Sequence, residues 1–83
     1  MATPSNIIVV RAAWDDEASV WVATSDDVPG LITEAATLED LNAKLPDMIG
    51  ELIELNGTGY LLPEIPIHII AEKIARVVNP RAA

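Results

Sequence analysis

Thirteen of the 83 residues are Asp or Glu, and carboxylates are the one abundant side chain here with chemistry to offer. They come in groups: Asp15 and Asp16, Asp26 and Asp27, Glu34, then Glu39 and Asp40. Paired carboxylates can share acid–base work or hold a divalent metal ion for hydrolysis. The alternating acids and glycine of a calcium loop are absent. Each group also has an ordinary structural task. Asp15 and Asp16 suit a hairpin turn, Asp26 and Asp27 suit a loop, and Glu39 and Asp40 favour the start of a helix. The structural tasks account for these residues without catalysis.

The remaining candidates are few. His68 is the single histidine and there is no cysteine. A transition-metal site would therefore lean almost wholly on carboxylates, and no disulfide can form. No Ser–His or Cys–His pair is visible. Gly57 and Gly59 lack the following helix signal of a phosphate-binding loop. The sequence thus predicts no catalytic residue, no cofactor and no metal. A metal-dependent hydrolase using the Asp15/Asp16 and Asp26/Asp27 turns is the enzymatic alternative. Trp14 and Trp21 flank the first hairpin, where they can meet as a cross-strand aromatic pair. Core packing and an interface anchor are both open to them.

These side chains need a scaffold, and the pattern specifies one. Residues 6–14 are rich in β-branched types and apolar on both alternating faces, Ile7, Val9 and Ala13 against Ile8, Val10 and Trp14. That predicts an inner strand covered on both sides. A four-residue turn at 15–18 returns the chain as a second strand over 19–25. Pro29-Gly30 then makes a tight turn, and residues 31–36 form a third strand. Thr37 is a good N-cap, able to accept from the amide of Asp40. Leu38, Leu41, Leu45, Met48, Ile49, Leu52, Ile53 and Leu55 trace one apolar helix stripe. The stripe keeps its phase through Pro46, so one kinked helix is predicted, with Gly50 free to bend or approach the sheet. Asn56-Gly57 closes it. Residues 58–63 connect. Residues 64–78 mix strand and helix spacing; a fourth strand over about 66–74 is predicted, with Pro66 barred from a fully bonded central position. On that reading His68 lies opposite Ile65, Ile67 and Ile69.

Composition bounds the rest. The chain makes one small domain, 1–83, with its core over about 7–78, and is marginal alone. Oligomerisation, as a dimer or tetramer, or a partner is the expected reinforcement. Residues 1–6 lack a signal-peptide pattern, and no apolar run is long enough to span a membrane; the expected location is cytoplasmic. Net charge is −8 at pH 7. Between residues 12 and 63 stand eleven acids and one base, Lys44. Such a body repels nucleic acid and attracts basic protein.

The run V-W-V-A-T-S-D-D-V-P-G followed by L-I-T-E-A-A-T-L-E-D-L, with an apolar helix ending near N-G, resembles the HicB-like antitoxin domain. The likeness extends over about residues 7–78, and residues 21–41 are its specific part. It implies an α+β fold of order β-β-β-α-β: a three-stranded meander, one helix on the sheet and a fourth strand, a degenerate ribonuclease-H-like unit without catalytic carboxylates. It further implies a non-enzymatic protein that binds and neutralises a small basic HicA-type toxin that cleaves messenger RNA. Family members often add a C-terminal DNA-binding module; only five residues follow Val78, so a stand-alone member without direct DNA contact is expected. Partner contact is assigned to Trp14, Asp15, Asp16, Trp21, Asp26, Asp27 and Glu34. The non-enzymatic alternative is a structural or regulatory homo-oligomer with no toxin, taking a peptide strand at a sheet edge.

Overall fold

The computed structural model describes residues 7–57, 59–60 and 63–82. The expectations for residues 1–6, and for 58, 61 and 62 within the connection, lie outside that set. Strand β1 (Ile8–Asp15) is followed by β2 (Val20–Thr24), β3 (Ile32–Ala35), helix α1 (Leu38–Asn56) and β4 (Ile67–Glu72). The fold is α+β in the order β-β-β-α-β, as the residue pattern predicts. β1, β2 and β3 form an antiparallel meander, and β4 pairs parallel with the free side of β1, giving the order β3-β2-β1-β4. β3 and β4 therefore lie at opposite edges, and α1 must cross the sheet between them.

Local chemistry explains the joints. Asp15 organises the first turn: its side chain accepts from the amides of Glu17 and Ala18, and its carbonyl from that of Ser19. Val28 to Leu31 is a tight turn closed by Leu31 N–H to Val28 C=O at 3.1 Å. Gly30 sits there at φ 88°, which after Pro29 is the type II arrangement that disfavours a side chain. The Thr37 hydroxyl accepts from Asp40 N–H at 3.0 Å, and Gly57 closes the helix in the left-handed region. Gly50 serves no close approach, since a Cβ there would meet open space.

One layer of core lies between α1 and the sheet. Ile8, Val10 and Ala12 of β1, Ala23 of β2, Val28, Leu31 and Leu41, Leu45 and Ile49 of α1 are buried. The helix covers one face, so the expected two-sided cover of β1 is not found among the described residues. Arg11 and Ala13, on the alternate face of β1, are exposed and Val9 is half-buried. Leu55, assigned to the buried stripe, is 81% exposed; it lies in the last turn of α1, at the margin of the helix–sheet contact. The fourth strand is shorter than predicted. It begins after Pro66, whose carbonyl accepts from Ile8, and residues 73–79 beyond Glu72 have no regular structure.

Pro46 stands inside one continuous helix. A proline there costs roughly 3 kcal/mol through a lost hydrogen bond and a clash, of which about 1 is offset because proline stiffens the unfolded chain. Pro46→Ala is expected to raise stability by about 2 kcal/mol, read from urea unfolding. A loss of stability instead would mean that the ring's packing at the cleft it lines with Ile8, Ile49 and Ile67 outweighs the helix penalty.

Candidate functional site

β2 ends at Thr24, opposite Arg11, so the first three residues of β1, Ile8 to Val10, have no partner on β2. The two main-chain groups of Val9 would face that gap. Side chains fill it: Asp27 Oδ2 accepts from Val9 N–H at 2.8 Å, and the Ser25 hydroxyl donates to Val9 C=O. Ser25 in turn accepts from Asp27 N–H at 3.1 Å. The carbonyl of Asp27 accepts from the Tyr60 hydroxyl at 3.4 Å. Asp27 is thus half-buried and turned to the backbone, whereas Asp26 beside it is exposed.

Trp14 and Trp21 are register partners on β1 and β2. Their rings meet edge-on, 5.4 Å between centroids at 62°, the cross-strand pair expected from the spacing. By strand parity they lie on the helix side with Ala12 and Ala23. The Trp14 indole N–H donates to Asp16 at 2.7 Å, and Lys73 stands 4.9 Å from the Trp14 ring. Trp21 packs on the core.

The other side of the sheet has no covering layer among the described residues. Register places Glu34, Val22, Ala13 and Glu72 in one row across it, and Ile32, Thr24, Arg11 and Ile70 in the next. His68 follows opposite Val9. Ile32 is 69% exposed. Arg11 pairs with Glu72 at 3.4 Å, both side chains being largely exposed, a contact of small energetic value. A shallow cleft of about 240 Å³ opens beside Val9, Arg11 and Thr24, rimmed by Asp26 and Asp27. The face thus mixes apolar Val22, Ala13, Ile32 and Ile70 with a central Arg11 and Thr24, and its edge strands carry Glu34 and Glu72, a mixed apolar and charged surface of the kind protein partners bind.

The seven residues assigned to partner contact therefore fall into separate places. Trp14, Asp15, Asp16 and Trp21 gather at the hairpin end. Asp26 and Asp27 lie at the opposite end of β1, and Glu34 stands on the open face. Val9 and Asp15 are six residues apart along the strand, roughly 20 Å, so the two Asp pairs do not converge on one ion. Among the described residues no group of three or more His, Asp or Glu is placed to hold a metal. Sequence reasoning missed Val22, Ile32, Ile70, Arg11 and Glu72 as surface. The available signal was the two-sided apolar pattern of β1 set against a single helix, which can cover only one side. No helix among the described residues is long and apolar enough to cross a membrane.

Residues 7–79 match the family described as Domain of unknown function (DUF1902). The chain belongs to the DUF1902 family. The match takes in every strand and the helix described above. A similar solved structure is the crystal structure of hypothetical protein TTHA1013 from the extremely thermophilic bacterium Thermus thermophilus. It is 52% identical, with a TM-score of 0.63, covering 88% of this DUF1902 chain and 99% of that one. No curated protein matches.

Proposed function

We propose that this chain is a non-enzymatic, cytoplasmic protein-binding module that takes a small basic protein on its open sheet face. The finer form of the proposal is an antitoxin-like role toward a HicA-type toxin that cleaves messenger RNA, with no direct nucleic-acid contact. The charge distribution carries this reading: eleven acids against one base between residues 12 and 63. A protein that grips RNA must present cations, and a carboxylate-rimmed surface both steers and masks them. The apolar side chains of the open face, Val22, Ala13, Ile32 and Ile70, supply contact area that charge alone lacks. The likeness of residues 21–41 to HicB-like domains supports the finer form.

The test is co-expression of the tagged chain with any small basic protein encoded beside its gene. A stable complex is expected, weakening as salt rises. Asp26→Lys with Glu34→Lys, two exposed side chains, should lower affinity at least about tenfold with unchanged circular dichroism. Capture of no basic protein from the neighbouring gene or the host would defeat the reading. Binding indifferent to the double reversal would remove the open face from it.

A further inference from the structure

The chain is far more extended than its length requires. Its radius of gyration is 16.2 Å and its axes span 56 × 28 × 18 Å, whereas a compact chain of this length has a radius near 12 Å. The C-terminal segment 73–82 follows β4 without regular structure. Every residue from 71 to 82 is exposed. Ile74, Val77 and Val78 are 83%, 90% and 89% exposed. Three large aliphatic side chains in five residues, held off the core, make an apolar surface that solvent does not favour.

Charge separates this arm from the body. Residues 73–83 carry Lys73, Arg76 and Arg81 and no acid, while the body is strongly acidic. At the root of the arm lies a groove of about 620 Å³ lined by Ala13, Trp14, Asp16, Ala71, Glu72 and the arm residues Lys73, Ile74 and Arg76. Pairing of β4 with β1 stops at Ala13, two residues before β1 ends, which leaves room there for another extended segment. The groove holds acids and bases on one patch. Such a patch complements itself across a two-fold axis, where each group meets its opposite on the second copy.

We propose that residues 73–82 form an exchanged arm that seats on a second copy of this chain, with each arm lying in the groove at the root of the other. Ile74, Val77 and Val78 of one copy cover Ala13, Trp14 and Ala71 of the other. Arg76 of one faces Asp16 and Glu72 of the other. This goes beyond the open-face reading, and the two are separable because the arm is tested on the chain alone.

The experiment is sedimentation velocity with small-angle X-ray scattering on the full chain over about 1–100 μM, a range that brackets the affinities usual for specific contacts of this kind. A particle of twice the 8.9 kDa chain mass, or an even multiple of it, is expected. Ile74→Asp with Val78→Asp should raise the dissociation constant at least about 100-fold while circular dichroism stays unchanged, since the arm lies outside the core. Arg76→Glu and Asp16→Arg should each weaken assembly, and the two together should restore it, a result that mere surface repulsion does not produce. A monomer at 100 μM overturns the proposal, whether its radius is near 12 Å with the arm folded back or near 16 Å with the arm free for another protein. Assembly that survives the Asp substitutions overturns it as well.

Discussion

Leu45→Ala is expected to lower the free energy of unfolding by about 3–5 kcal/mol. Leu45 is fully buried, two turns into α1, against the sheet residues that form the core. Its removal leaves a cavity between helix and sheet that backbone on neither side can easily close. A domain of this length has roughly 4–12 kcal/mol in total, so the variant should lose at least about a quarter of its stability. Urea unfolding followed by tryptophan fluorescence reads this directly, because Trp21 packs on the core. Protein concentration must be held fixed, since assembly adds to apparent stability. Leu55→Ala, at an 81% exposed position of the same helix, should stay within about 0.5 kcal/mol of the parent. Equal effects at the two positions would refute the helix facing described here.

The second large effect is expected at Asp27. Asp27→Ala removes the acceptor for Val9 N–H and loosens Ser25, which holds Val9 C=O. A charge-assisted bond and a main-chain donor left in a half-buried place together cost about 3 kcal/mol. Asp27→Asn keeps an acceptor oxygen without the charge and should cost about 1 kcal/mol. Asp26→Ala, with an exposed side chain, should cost under about 0.5 kcal/mol. The same unfolding measurement separates them, and a stable Asp27→Ala would dismiss the Val9 clamp. The contrast also governs functional tests. A binding loss at Asp27 would report the fold, whereas one at Asp26 would report the surface.

These two neighbouring aspartates show where sequence reasoning stops. Both look like turn formers, and spacing alone cannot tell which carboxylate reaches a strand eighteen residues away. The same holds for Trp14 and Trp21. Their pairing follows from hairpin spacing, but their separation from Glu34 by the thickness of the sheet depends on the β2–β3 register, which sets Trp21 opposite Ala35 and Val22 opposite Glu34. The metal-site alternative needed Asp15/Asp16 and Asp26/Asp27 to meet. Antiparallel pairing sends them to opposite ends of β1, a consequence of register rather than residue type.

Interactions that close within a few residues were legible from residue identity. Asp15 sets the hairpin turn, Pro29 and Gly30 the second turn, Thr37 the start of α1 and Gly57 its end, because each satisfies a backbone group or a dihedral angle close by. Strand alternation and the leucine stripe likewise identified the β-β-β-α-β order and most of the core. Long-range packing settled the rest. It put β4 parallel beside β1, left one face of β1 open and exposed Leu55 together with Ile74, Val77 and Val78 of the basic arm. Those outcomes depend on how many layers are available to cover a given surface. The described residues supply one helix for a two-faced sheet, so apolar residues that look alike in sequence divide into core and surface only when the fold assembles.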